Sequence, residues 1–452
     1  MTTGSTAGWS GPDAVYRCAA AWIDGAVRQD VDISCAAGLI TSIEDVWDSA
    51  GRRGPGPPPV QALPGLVVPG FADAHSHVFH RGLRGRTHDG SGTFWTWRQR
   101  MYELAGRLDP ERLRELAFAG YLEMLCAGYT AVGEFHYLHH RPGGRAYTDP
   151  NAMGLAIAAA AGEVGIGLTL LDIAYLAGGF GIRLSPVQQR FSDGTAAAWA
   201  DRVAELPAGL RVGIGIHSVR AVPVEELPVV AAAAFGRVLH VHASEQPAEN
   251  EDALAATGRT PIGLLDDAGA LGPRTAVVHA THLSDDDIRI LGRAGSFAVI
   301  CPTTEADLAD GLPAAAAMAA VGARLALGGD QQVVVDPFAQ ARGLEYGERL
   351  AGGRRGVFAP RTLWSAALAN SHAAIGSPGG SLAVGAPADL VAIQTESART
   401  AGADLDQLVL CASAQDVDVV VVGGLIKVRA GNHLSYGDPG PLLAAAIEQA
   451  WR

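Results

Sequence analysis

The strongest constraint on this chain is an alternation: eight short apolar runs of strand length, separated by stretches of helical character. The runs cover residues 66–72, 130–135, 166–173, 212–217, 238–242, 275–279, 296–301 and 324–327. They are mostly continuous rather than alternating, which is the pattern of strands covered on both faces. One intervening helix is fully punctuated, with Asp109 as cap, Pro110 in the first turn, Leu113, Leu116, Tyr121 and Leu125 along it, and Gly128 as its stop. Strands alternating with helices predict an α/β fold, a parallel (β/α)8 TIM barrel, with an open doubly wound sheet as the alternative.

The two ends of the chain have a different texture. Residues 14–17, 31–33 and 39–43 are short strand-like pieces, followed by the Gly/Pro-rich linker 51–59, and similar pieces return at 388–393 and 417–424. Residues 1–65 and 381–452 are therefore expected to join as one small β-sandwich, the second part ending in a helix, beside a barrel of residues 66–380. A chain of 452 residues, 48% hydrophobic, is long enough for both.

Charge narrows the partners. The chain carries 34 Lys+Arg against 47 Asp+Glu, a net charge of -13 with no long basic cluster, so nucleic acid and an anionic membrane surface are excluded as main partners. The N-terminus lacks a signal-peptide pattern and no apolar run reaches about 18 residues, so a cytoplasmic location is expected. The cysteines Cys18, Cys35, Cys126, Cys301 and Cys411 are scattered and odd in number, which predicts buried thiols rather than a disulfide framework. The only lysine is Lys427, far from the central segment.

In a (β/α)8 barrel the chemistry sits at the C-terminal ends of the strands. The first run leads into Asp73-Ala-His75-Ser-His77, the fourth ends at His217, the fifth leads into His240-Val-His242-Ala-Ser-Glu245, the sixth into His279-Ala-Thr-His282, and the eighth into Gly328-Gly329-Asp330. Residues two apart on a strand face the same way, so His75 and His77 can grip one ion. With His242 and Asp330 the set becomes three imidazoles and a carboxylate, suited to zinc and tolerable for iron or another divalent ion. His242 is preferred over His240 because it lies nearer the strand end, with Glu245 following. His279 is preferred over His282 for the same reason.

These motifs carry a resemblance. Residues 74–81 (Ala-His-Ser-His-Val-Phe-His-Arg), 93–98 (Thr-Phe-Trp-Thr-Trp-Arg), 134–140 (Glu-Phe-His-Tyr-Leu-His-His), 217–222, 242–246, 279–282 and 301–305 resemble the amidohydrolase superfamily and, within it, the formimidoylglutamate deiminase family. The resemblance implies a single divalent metal, zinc first and Fe2+ or another ion as alternatives, held by His75, His77, His242 and Asp330. A barrel without lysine agrees with one metal, since two-metal members usually bridge their ions with a carboxylated lysine. The resemblance further implies catalytic roles for Asp330 as base and for His279 and Glu245 in proton transfer and orientation. His80, Arg98, Tyr137, His217 and Arg220 match substrate-contact positions.

The implied reaction is hydrolytic deimination of N-formimino-L-glutamate to N-formyl-L-glutamate and ammonia, a step of histidine degradation. The expected partners are this small anionic amidine and a second copy of the chain in a homodimer. The alternatives are a one-metal deaminase of another amidine or an aminated heterocycle, and a metabolite-binding barrel without turnover. Two departures bear on the choice. His80 stands where some members carry Gln, and Gly328-Gly329-Asp330-Gln331-Gln332 replaces the usual Gly-Ser-Asp-Ser-His. Phe79, Trp95, Trp97 and Phe135 are read as packing, and His136, His139 and His140 as satisfying local backbone.

Overall fold

Two-residue turns with left-handed backbone fold the start of the chain into a meander. The strands β1 (Ala14–Ile23), β2 (Ala26–Ala36) and β3 (Leu39–Asp45) are joined at Asp24-Gly25, with φ of 51° and 77°, and at Ala37-Gly38, with φ of 49° and 78°. Both residues of such a turn need positive φ to match the twist of the flanking strands, and a glycine at the second position makes that cheap. The computed structural model describes residues 13–46, 60–87 and 94–452, with Phe94 and Trp95 described by backbone alone. The linker 51–59, Thr93 and the packing expected of Trp95 lie outside the described residues.

β4 (Val60–Pro69) pairs parallel to β1. The reading of 66–72 as one barrel strand is corrected here, because Leu66 to Pro69 belong to β4 in the outer sheet and the barrel begins with β5 (Phe71–Ser76). The break falls at Gly70, whose amide donates to the Asp389 carbonyl at 2.9 Å. A Cβ on Gly70 would meet Thr130 at 2.1 Å. The apolar run hid this crossing because both of its halves are buried, one in each sheet.

Seven further parallel strands follow: β6 (Tyr129–His136), β7 (Gly167–Ala174), β8 (Val212–Ile216), β9 (Leu239–Ala243), β10 (Thr275–His279), β11 (Phe297–Ile300) and β12 (Arg324–Leu327). Each pairs with the next, and a parallel bridge between Ser76 and Asp330 joins the last to the first. This is the expected barrel. Ile375 reaches its interior among Ala72, Ala74, Ala131, Val278 and Ala326, and a Cβ on Gly133 would come within 2.5 Å of it.

The chain returns to the outer sheet with β13 (Leu390–Ile393), β14 (Val417–Val422), β15 (Leu425–Arg429) and β16 (Asn432–His433). The two ends thus build one mixed eight-stranded sheet, in the order β16-β15-β14-β13-β4-β1-β2-β3. It folds over an apolar cluster of its own, in which Tyr16, Val31, Ile33, Val67 and Val421 are buried. The anticipated helix spans Pro110–Cys126, and the Asp109 side chain accepts from the Arg112 amide at 2.9 Å. The last helix, Pro439–Trp451, packs on the barrel side, where Trp451 Nε1 donates to the Gly82 carbonyl at 2.8 Å. All five cysteines are free, four buried and Cys411 partly exposed. Among the described residues no helix is long and apolar enough to cross a membrane.

Candidate active site

β5, β9 and the turn after β12 bring His75, His77, His242 and Asp330 together, all buried, with one donor atom from each within 4.8 Å of the others. His75 Nε2 and His77 Nε2 each lie 3.3 Å from Asp330 Oδ1. His242 Nε2 lies 3.0 Å from His75 Nε2 and 3.4 Å from His77 Nε2. Bonds of about 2.0–2.1 Å in a tetrahedral shell would set donors about 3.3 Å apart, so the set fits a zinc-sized cation.

Tautomers strengthen the fit. His77 Nδ1 donates to the Phe135 carbonyl and His242 Nδ1 to the His217 carbonyl, both at 3.0 Å. A carbonyl only accepts, so in each neutral ring Nε2 carries a lone pair. Two lone pairs facing each other repel, and a cation between them removes that cost. Burial keeps the rings neutral, pushing His75 down to about 3, His77 down to about 4 and His242 well below the usual histidine range. Burial alone would raise the Asp330 carboxyl, but hydrogen bonding and charge from His75, then His77 and His279, hold it well below the usual range. Phe135 packs against all three rings, with centroids 4.9, 5.2 and 4.3 Å from His75, His77 and His242.

The backbone is strained where the site is built. Ser244, His279, Ala280, Asp330 and Gln332 all have φ between 49° and 68° without being glycine. Of these, His279 and Asp330 carry their side chains from strand ends into the pocket.

Beside the donor set stands His279, whose Nε2 lies 3.7 Å from Glu245 Oε1 and whose Nδ1 lies 3.4 Å from Glu305 Oε1. Burial would lower its pKa, but Glu245, then Glu305 and Asp330, carry it up to about 10. Burial raises Glu245 to about 7 against the pull of His279. A cationic imidazole next to a carboxyl poised near neutrality can hold and move protons. His240 and His282 are elsewhere occupied, as expected, with Nε2 at 2.9 Å from the Ala374 carbonyl and 2.7 Å from the Asp310 carbonyl.

A pocket opens above these groups, and His80, Arg98, Tyr137, His217 and Arg220 all line it together with His279, Glu245 and Asp330. His80 Nε2 lies 3.1 Å from the Tyr137 hydroxyl. Arg98 sits over the Tyr102 ring at 5.6 Å. Arg220 is mostly buried with its Nε 3.8 Å from Glu249 Oε1; burial would lower its pKa, but the charges of Glu249 and Glu245 together with Tyr175 and Tyr102 raise it. His139 Nε2 meets the Ile173 carbonyl at 2.9 Å, as anticipated, whereas His140 meets the Asp193 carboxylate at 2.8 Å rather than backbone.

Sequence reasoning missed three residues here. Tyr102 and Tyr175 line the same pocket, and Glu305 backs His279. Tyr175 directly follows β7, so the strand-end rule could have found it. Gln188 Nε2 donates to the Tyr175 hydroxyl at 2.7 Å, while Gln188 Oε1 accepts from the Ser185 amide at 2.9 Å and fixes the amide's orientation. Gln331 and Gln332 do not line the pocket. Gln331 Nε2 donates to Asp307 Oδ2 at 2.8 Å and Gln332 Nε2 to Ser76 Oγ at 2.9 Å.

A parallel barrel with three imidazoles and a carboxylate clustered at its mouth, a histidine between two carboxylates beside them and arginines on the pocket wall defines an enzyme class, the metal-dependent barrel hydrolases. Residues 66–427 match the amidohydrolase family. The formimidoylglutamate deiminase of Pseudomonas aeruginosa is 39% identical over 394 residues, covering 82% of this chain and 87% of that protein. The structure of an amidohydrolase from Brucella melitensis superposes with a TM-score of 0.85 at 33% identity, over 97% of this chain and all of that one. A zinc-bound adenosine deaminase from Xanthomonas campestris superposes with a TM-score of 0.82 at 22% identity, over 97% of each chain. The chain belongs to the amidohydrolase family and is a hydrolase of carbon–nitrogen bonds.

Proposed function

We propose that this enzyme hydrolyses N-formimino-L-glutamate to N-formyl-L-glutamate and ammonia, as in histidine degradation. The observation that carries the reading is the placement of Arg98 and Arg220 in the same pocket as the His75, His77, His242 and Asp330 cluster. A dicarboxylate with a formimino group needs cations at one end and a hydrolytic centre at the other, and a guanidinium matches a carboxylate with two parallel hydrogen bonds. The Pseudomonas aeruginosa relative has this activity by name.

His75, His77, His242 and Asp330 would hold one divalent ion, zinc in our reading, as in the adenosine deaminase neighbour. That ion supplies Lewis acidity, which lowers the pKa of a water toward neutrality. Asp330 takes a proton from the attacking water with its second carboxylate oxygen. The water oxygen bonds to the formimino carbon, and His279, kept charged between Glu245 and Glu305, donates a hydrogen bond to it. Glu245 delivers a proton to the terminal imino nitrogen as the carbon–oxygen bond forms, and Asp330 passes the proton it took from water to the resulting amino group. The carbon–nitrogen bond then breaks so that ammonia leaves while the hydroxyl proton returns to Glu245. The oxygen remains as the formyl oxygen. Arg98 and Arg220 hold the carboxylates, while His80, Tyr137 and His217 orient the formimino end. A cytoplasmic homodimer completes the reading.

The test is ammonia release from N-formimino-L-glutamate compared with neutral amidines and aminated heterocycles. Turnover should be fastest with the dicarboxylate. Turnover of a heterocycle with none of N-formimino-L-glutamate would replace this substrate with the alternative class.

A further inference from the structure

Three of the four donor atoms come from the two strand ends that are least well tied together. Most other neighbouring barrel strands share regular ladders, such as Phe297 to Ile300 of β11 against Arg324 to Leu327 of β12, although β5 and β6 pair with shifts of register. Between β12 and β5 the backbone pairing among the described residues is the bridge of Ser76 and Asp330, formed by His77 N donating to Asp330 O at 2.9 Å and Asp330 N to His75 O at 2.8 Å. His75 and His77 stand on one side of this seam and Asp330 on the other. Any play in the seam changes the distance between ligands.

Gln332 crosses the seam twice. Its Nε2 donates to Ser76 Oγ at 2.9 Å and reaches Asp73 Oδ2 at 3.4 Å. The other oxygen of Asp73 accepts from the Gly329 amide at 2.8 Å and from the His75 amide at 3.1 Å, so this carboxylate itself spans the seam. Ser76 gives its own proton to Glu134 Oε2 at 2.9 Å, so its lone pair is what receives Gln332. The main-chain carbonyl of Gln332 accepts from Arg84 Nε at 2.8 Å and Nη2 at 2.6 Å, on the turn that follows β5. Gln332 is 2% exposed and has a φ of 59°. One nitrogen with two N–H bonds, held between two acceptors on β5, is what an amide offers and an aliphatic side chain lacks.

We propose that Gln332 is a positioning residue of the metal centre, fixing Asp330 against His75 and His77 across the barrel seam and so setting how tightly the metal is retained. It acts through Asp73, Ser76 and Arg84 and touches neither the donor atoms nor the pocket. The inference rests on the metal-site reading.

The experiment is release of zinc from the loaded full chain to excess chelator, followed with a chromogenic dye, together with the melting midpoint of the metal-free protein. Gln332→Met keeps the length and packing of the side chain and removes both donors. It should release zinc about 10- to 100-fold faster, the usual effect of losing a partner behind a metal ligand. Arg84→Lys keeps a cation for Glu123 but loses the two-bond grip on the Gln332 carbonyl, and should shift release in the same direction by less. If Gln332→Met does not fold, Arg84→Lys decides alone. Wild-type release rates in the folded variants, with a lowered melting midpoint, would reduce Gln332 to a structural residue and overturn the proposal. A wild-type chain that takes up no zinc would overturn the zinc-site reading first, a result distinct from unchanged release.

Discussion

Glu305 Oε1 lies 3.4 Å from Nδ1 of His279, the ring nitrogen opposite the one that faces Glu245. The same oxygen accepts from the Cys301 amide at 2.8 Å, so the carboxylate is anchored by backbone at the start of the helix Pro302–Asp307. A histidine with a carboxylate on each side is held as a cation with its ring fixed.

Glu305→Gln keeps an oxygen for the Cys301 amide and removes the charge behind His279. It should lower kcat about 10- to 100-fold with little change in KM, the usual effect of losing an outer partner of a site histidine. Steady-state kinetics settle the matter. An unchanged kcat would mean that Glu245 alone keeps His279 charged.

Asp330 is both donor and proposed base, so Asp330→Asn should cut ammonia release by roughly 10²–10⁴-fold even in the presence of excess zinc. Chelation of the wild type should abolish turnover and lower the melting midpoint, since an ion bound only to the folded state stabilises it. Zinc should restore both. Substantial turnover by Asp330→Asn would move the base elsewhere.

Arg220→Lys retains a cation near Glu249 but loses the planar fork. If Arg220 grips a substrate carboxylate, KM should rise about tenfold or more, corresponding to about 1.5–3 kcal/mol for a hydrogen bond to a charged group. The rate at saturation should change far less. A variant that loses kcat and keeps KM would place Arg220 in the chemical step instead.

The histidine cluster was legible in the sequence because two simple periods converge on it. His75 and His77 share a strand face, and the barrel rule sends every strand end to one mouth. Tyr102 follows Arg98 by four residues on the helix Phe94–Arg107, one helical turn away, so the spacing could have found it although it was missed. Gln188 was not, since its contact with Tyr175 depends on how the segment after β7 folds back. The crossing at Gly70 was hidden for a different reason: burial in either sheet demands the same apolar residues.

The Tyr175 pair yields its own prediction. Gln188 donates to the Tyr175 oxygen and the Tyr102 side chain is a second hydrogen-bond partner, so the single hydroxyl proton is shared between Tyr102 and an acceptor entering the pocket that Tyr175 lines with Arg220. Tyr175→Phe removes that donor and keeps the ring. KM for N-formimino-L-glutamate should rise by about 3- to 10-fold, the worth of one hydrogen bond, with kcat nearly unchanged. Equal KM values would leave Tyr175 as wall packing.

Arg202 ties the barrel to its outer helices through a buried ion cluster. Its guanidinium meets Asp172 of β7 with two bonds of 2.9 Å and Asp193 at 3.0 Å. Burial would raise both carboxyls. The charge of Arg202 on Asp172, and the hydrogen bond from His140 with the charges of His139 and Arg202 on Asp193, hold both below the ordinary aspartate range. A folded pKa below the unfolded value of about 4 means that the cluster's contribution is fully present above that pH and is lost as pH falls from there through the folded pKa. Arg202→Met reverses the sign, because the two carboxyls stay buried without their cation and their folded pKa values rise above 4. The variant should lose about 3–5 kcal/mol at pH 7 and regain part of it toward pH 5, where the wild type gains nothing. Thermal unfolding at both pH values checks this, and a variant whose deficit is the same at pH 5 and pH 7 would show that packing rather than charge carries the loss.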